Sequence, residues 1–190
     1  QSQALREALL PTAEPGSQPA QWIIASGSLP PGMPHDFYAQ LARAAQQQGT
    51  PLALDTSGAA LTAALEVGVA LVKPSLRELR DLLQQPLNTV PECGDAAFTL
   101  VQQGAASTVA VSMGEQGAVL AHRHGVSHAP ALEVPATTGT TGAGDCFLAA
   151  LVWALEHGDT PPEALRWGVA AGVAGRTRGL RNRGLRQSSP

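Results

Sequence analysis

The stretch Thr140-Thr141-Gly142-Ala143-Gly144-Asp145 places three small residues and one carboxylate immediately before the apolar run Cys146-Phe147-Leu148-Ala149-Ala150-Leu151. Small residues at a helix start let backbone N–H groups converge on an anion, and the helix dipole favours the same negative charge. Asp145 in that first turn stands beside the held anion, where it can accept a proton from an attacking hydroxyl. The combination points to phosphoryl transfer to an alcohol, with the amides of Gly142, Ala143 and Gly144 as the anion hole and Asp145 as the base.

In open α/β sheets ligands bind beyond the carboxyl ends of the strands, so four further loops are candidates. Ser26-Gly27-Ser28-Leu29-Pro30-Pro31-Gly32 offers two hydroxyls at a strand end, or simply a rigid proline turn. Asp55-Thr56-Ser57-Gly58 can bind a ligand, but capping of the next helix is the expected work of Ser57. In Lys73-Pro74-Ser75-Leu76-Arg77-Glu78 the Ser75/Glu78 spacing matches a capping box, and Lys73, the only lysine of the chain, could meet a phosphate. Ser112-Met113-Gly114-Glu115-Gln116-Gly117 carries glycines that could equally serve a tight turn.

Two other groups lead away from chemistry. His122, His124 and His128 fall in a predicted hairpin, where their spacing puts them on one face by accident and no cysteine joins them. Cys146 follows an acid instead of a histidine, which disfavours a thiolate nucleophile, and it reads as a packing residue.

The elements that must position these loops alternate. Apolar runs at Trp22–Ala25, Leu52–Leu54, Val69–Val72 and Thr108–Val111 predict strands, and helical patterns at Pro34–Gln48, Ala59–Leu65, Leu76–Leu83 and Asp95–Gln103 lie between them. That rhythm is the signature of a parallel sheet with crossover helices, and strands without polar alternation are covered on both faces. Ala118–His122 and Val126–Ala129 then read as short antiparallel strands, and Gly144–His157 and Pro162–Ala174 as helices, with Pro161 and Pro162 suited to a helix start.

The 190 residues suffice for one core, and two cysteines exclude a disulfide scaffold, so a reducing, cytoplasmic setting is expected. No apolar run reaches the roughly eighteen residues needed to cross a bilayer, so no membrane partner is expected. The net charge is −3, yet five arginines fall within 176–190; residues 1–175 carry seven basic against fifteen acidic residues. An acidic body does not track nucleic-acid phosphates, and an arginine-rich end without aromatics reads as a disordered tail.

Taken together, Gly27-Ser28-Leu29-Pro30-Pro31-Gly32, Asp55-Thr56-Ser57-Gly58, Val72-Lys73-Pro74, Ser112-Met113-Gly114 with Gly117, and Thr141-Gly142-Ala143-Gly144-Asp145 resemble, in order and spacing, the PfkB branch of the ribokinase-like sugar kinases. The likeness is greatest to its sugar-phosphate kinases, of the 1-phosphofructokinase, minor 6-phosphofructokinase and tagatose-6-phosphate kinase types. It implies a three-layer α/β/α fold with a mostly parallel sheet, of which this chain holds the C-terminal portion: residues 1–20 as linker and helix remnant, 21–175 as kinase domain, 176–190 as tail.

The resemblance also implies roles. Asp145 deprotonates the acceptor hydroxyl, Ser28 contacts the sugar's own phosphate, and Lys73, Ser75, Ser112, Met113, Gly114, Glu115, Gln116, Gly117 and Gly144 line the ATP site. Glu78 organises Mg²⁺ through water. Fructose 1-phosphate, fructose 6-phosphate and tagatose 6-phosphate are the implied acceptors, and a homodimer is the implied assembly of the full-length family. Three departures accompany it: Ser75 where the family has Asn, Gly139 where it carries Asp, Ser or Val, and the absence of the first strands, lid sheet and N-terminal sugar-gripping residues. The alternative is a catalytically inactive nucleotide-binding fragment of such a kinase. A Rossmann dehydrogenase is disfavoured, because Gly139, Gly142 and Gly144 have the reverse spacing and lie late in the chain.

Overall fold

The apolar runs pair into one six-stranded sheet: β1 (Ile23–Ser26), β2 (Leu52–Asp55), β3 (Val69–Val72), β4 (Ala106–Ser112), β5 (Ala118–His122) and β6 (Gly125–Ala129). Among the described residues six α-helices accompany it: α1 (Phe37–Gln48), α2 (Gly58–Val67), α3 (Leu76–Leu83), α4 (Val90–Gln102), α5 (Ala143–Glu156) and α6 (Pro161–Gly184). The computed structural model describes residues 20–133 and 142–184, with side chains as far as Gly175. Thr140, Thr141 and Gly139 lie outside the described residues, as do the expected linker up to residue 19 and the last six positions.

Strand order follows chain order. β1 to β4 are parallel, and β5 and β6 close the sheet antiparallel, as the change of rhythm after Val111 predicts. Right-handed crossovers that advance in one direction deposit every connecting helix on the same face. Accordingly Tyr38 and Leu41 of α1, Leu61 of α2, Leu79 of α3 and Cys93 of α4 pack on Leu54, Val72, Val109 and Val111. The other face is formed by Ala53, Leu71, Ala110 and Leu120, which bury Phe147, Leu148 and Leu151 of α5 and Leu165 of α6. Period-two alternation thus divides each strand between two cores, and the three-layer α/β/α arrangement is the one the resemblance implies.

Four local expectations need correction. α4 begins at Val90, ahead of Asp95, because Thr89 and Glu92 form a reciprocal capping box that starts the helix before its apolar periodicity begins. Ser57 occupies the N-cap position of α2 without a side-chain cap hydrogen bond; Gly58 enters that helix at φ +62°, outside the geometry in which a cap forms. His122 and His128 do not share a face: His122 pairs with Gly125 and His128 with Val119, so the alternation sends them to opposite sides of the sheet. His124 instead sits in the turn against His122, and His128 meets the Gln116 carbonyl.

The fourth correction concerns the arginine-rich end. It is helical as far as Gly184 as part of α6, where a disordered tail from 176 was expected. No proline interrupts the helix beyond its first turn, and arginine is itself a good helix former. No described helix is long and apolar enough to cross a membrane.

The turn before β5 shows how tightly the hairpin is seated. Gly117 has φ +84°, and a Cβ there would meet the Ala129 carbonyl oxygen at 2.0 Å and the Ala131 nitrogen at 2.6 Å. Both the strained backbone and the backbone collision act against any side chain. Gly117→Ala is therefore expected to cost at least about 2 kcal/mol, read as a lowered denaturant midpoint with unchanged slope.

Candidate active site

Alternation along the strands also determines which side chains reach the carboxyl edge on the α5 face. Ile24, Ala53 and Leu71 point toward the α5–α6 layer, so Ser26, Asp55 and Lys73, two residues further along each chain path, emerge on that side. Ser26 and Asp55 are register partners in neighbouring strands. Lys73, 5% exposed, closes the row with its Nζ 2.9 Å from Asp55 Oδ2.

α5 starts directly above this row. Its N-cap, Gly142, has φ +81° and contributes no side chain, which leaves the first-turn amides facing outward. Asp145 lies in that turn, and its Oδ1 accepts a 2.7 Å hydrogen bond from the Ser26 hydroxyl. Gly144 is the close-approach position: a Cβ there would stand 3.4 Å from Lys73 Nζ and 3.5 Å from Asp55 Oδ2. The amides expected to hold a transferring phosphoryl group thus sit over a neutralised ion pair, with one exposed carboxylate at the rim.

Burial pushes the Asp55 carboxyl above the usual aspartate range; Lys73 opposes this, while the negative charges of Glu78 and Asp145 add to it. Three carboxylates therefore share one field with a single ammonium. Carboxylate oxygens are the hard ligand type that Mg²⁺ takes. Among the described residues no group of three or more His, Cys, Asp or Glu side chains could hold a metal ion.

The remaining predicted residues divide by position. Ser75 and Glu78 form the capping box that starts α3: Glu78 Oε2 accepts the Ser75 N–H at 2.8 Å, and Ser75 Oγ accepts the Glu78 N–H. Ser112 is drawn alongside, since its N–H donates to the Pro74 carbonyl and Ser75 bridges to Ser112 in parallel fashion. In the following turn Gly114, Glu115 and Gln116 are exposed, while the Met113 side chain is buried in the core and Gly117 is buried beneath Ala129. Ser28 is exposed and lines a cleft of about 520 Å³ with Pro30, Pro31, His35 and Ser57. Asp55 and Ser26 had no assigned role in the sequence; the signal was there in the alternation that aligns both with Lys73.

Residues 1–183 match the family described as pfkB family carbohydrate kinase. The chain belongs to that family. Among curated relatives, this pfkB-family chain is 43% identical over 155 residues to the ATP-dependent 6-phosphofructokinase isozyme 2 of Mycobacterium tuberculosis, covering 82% of the chain and 45% of the relative. It is 34% identical over 148 residues to the 1-phosphofructokinase of Haemophilus influenzae, covering 78% and 47%. The solved phosphofructokinase-2 from Escherichia coli in complex with fructose-6-phosphate superposes with a TM-score of 0.78 at 36% identity, covering 93% of this chain and 56% of that one. The chain spans about half the length of the curated relatives it matches.

The direction of the Asp55 shift gives a stability prediction for this pfkB-family chain. A carboxyl whose folded-state pKa is raised binds its proton more tightly in the folded chain. Its contribution is present at and below the ordinary aspartate range and is lost as pH rises through the raised value. Asp55→Asn removes that titration but leaves the buried Lys73 ammonium without its counter-charge, and taking away one partner of a buried pair is strongly destabilising. The variant is expected to lose about 3 kcal/mol at pH 7, and to show a flatter dependence of stability on pH between about 4 and 7 than the unaltered chain, whose stability carries the falling Asp55 contribution over that range. Urea midpoints across that range check the sign.

Proposed function

We propose that this chain forms the catalytic and nucleotide-binding portion of an ATP-dependent kinase whose acceptor is fructose 6-phosphate, fructose 1-phosphate or tagatose 6-phosphate. The observation that carries the reading is the Asp145 carboxylate, oriented by Ser26 at the open first turn of α5 over the Lys73–Asp55 pair. The names of the relatives support the acceptor class, since two are phosphofructokinases and the solved one is described with fructose-6-phosphate.

In this reading the acceptor hydroxyl lies beside Asp145, which takes its proton as the oxygen attacks the γ-phosphorus. The new bond to phosphorus forms as the bond to the β,γ-bridging oxygen breaks, and ADP leaves with that electron pair. The amides of Ala143 and Gly144, with the helix dipole behind them, meet the charge that develops on the equatorial oxygens. Lys73 and Asp55 make the floor: a paired ammonium polarises the site without adding a free charge that would trap product. Ser75, Ser112 and the exposed residues Gly114, Glu115 and Gln116 border the nucleotide, and Ser28 receives the sugar's own phosphate.

The chemistry Mg²⁺ would supply when bound is neutralisation of the phosphate oxygens. Glu78 would reach the ion through water, and Asp55 and Asp145 would add negative charge nearby. The 21–175 segment is the kinase domain in this proposal, and a homodimer is the assembly proposed for the whole protein.

The test is ADP release from Mg·ATP by the purified chain with each of the three sugar phosphates. One acceptor is expected to give turnover that Asp145→Asn lowers by about 10²-fold or more, at little change in the KM for ATP. ATP binding without transfer to any of the three would identify an inactive nucleotide-binding fragment instead.

A further inference from the structure

Two buried hydroxyls converge on one carbonyl at the end of β1, and the mechanism above uses neither of them. Tyr38 Oη on α1 donates to the Gly27 carbonyl at 2.9 Å, and Thr56 Oγ1, just past β2, donates to the same oxygen at 3.0 Å. Each side chain is 6% exposed. The Gly27 N–H is held as well, by the Asp55 carbonyl at 2.9 Å. A carbonyl has two lone pairs, so the Gly27 carbonyl is fully satisfied, and with its N–H bonded as well the peptide groups on both sides of Gly27 are held.

The fixation falls where the chain changes sides. Gly27 has φ +116° with open space where a Cβ would stand, so glycine is required there by backbone direction rather than by crowding. Ser26, before it, points to the α5 face and bonds Asp145, while Ser28, after it, lines the cleft toward α1 and α2. A peptide free to rotate at Gly27 would move both hydroxyls together. Burial and the charge of Asp55 keep the Tyr38 phenol protonated and therefore a donor.

We propose that Tyr38 and Thr56 are positioning residues for the sugar acceptor: by clamping the Gly27 carbonyl they aim Ser28 at the acceptor's phosphate and Ser26 at Asp145. The proposal rests on the kinase reading for the roles of the two serines, and on hydrogen-bond geometry alone for the clamp. Because both donors serve one acceptor, either can hold the carbonyl when the other is lost. Single losses are therefore mild and the double loss exceeds their product.

The test compares Tyr38→Phe, Thr56→Val, the double variant, and Tyr38→Phe combined with Thr56→Ser, all of which keep side-chain volume nearly constant. Each single variant is expected to lower kcat/KM for the sugar phosphate by about threefold or less, and the double by about tenfold or more, with the KM for ATP unchanged within about twofold. Thr56→Ser in the Tyr38→Phe background keeps the second hydroxyl and stays near the single variant. Equal losses toward ATP and sugar, or a double variant no worse than either single, would overturn the proposal.

Amide exchange is read on the same proteins. Exchange at Gly27, Ser28 and Leu29 is expected to quicken by about tenfold in the double variant while β2 keeps its protection. Absence of turnover in the unaltered chain would contradict the kinase reading and leave the clamp to this second readout, in which unchanged exchange at those three amides overturns it.

Discussion

A lysine ammonium buried at the carboxyl edge of a parallel sheet must be neutralised where it stands, and Asp55, one strand away, does so at 2.9 Å. Much of the local architecture follows from that pair. The first turn of α5 lies over it, close enough that a Cβ at position 144 would be in van der Waals contact with both partners. Asp145 is consequently brought within reach of Ser26, at the end of the strand beyond Asp55. The same pair leaves the ground beneath the first-turn amides of α5 close to neutral, so those amide dipoles do not face an uncompensated carboxylate.

The arrangement is one in which stability and chemistry pull apart. Asp55 sits above the ordinary aspartate range chiefly because of burial, and two further carboxylates, Glu78 and Asp145, raise it further. A sequence under pressure for folding alone would replace such a cluster with apolar residues, as the strand interiors immediately before it already do with Ala53 and Leu71. The cluster stands instead at the strand ends, where open α/β sheets bind ligands.

Most of the fold was legible because its signals are local and periodic. Strands between turn residues, helices with capping boxes and the Gly114–Gly117 turn each depend on a few consecutive residues. The errors came where a second local signal competed: Thr89/Glu92 started α4 before its apolar pattern, and arginines extended α6 past Gly175. The histidines were misplaced because a hairpin with Arg123 and His124 in its turn reverses which face the returning residues take. Loop composition pointed to Asp145, Gly144 and Lys73 as candidates, and the family resemblance to Ser28. The pairing of Lys73 with Asp55 and of Ser26 with Asp145 depends on strand register, which only the folded chain displays.

The central claim is geometric: the acceptor hydroxyl, the transferred phosphoryl group and Asp145 meet at the first turn of α5. A crystal structure of the chain with Mg·ADP, a metal-fluoride mimic of the transferring phosphoryl group and fructose 6-phosphate tests this most directly. The account predicts the mimic on the amides of Ala143 and Gly144, with a sugar hydroxyl about 2.6–3.2 Å from the Asp145 carboxylate. A nucleotide seated away from α5, or an acceptor hydroxyl facing some group other than Asp145, would contradict it.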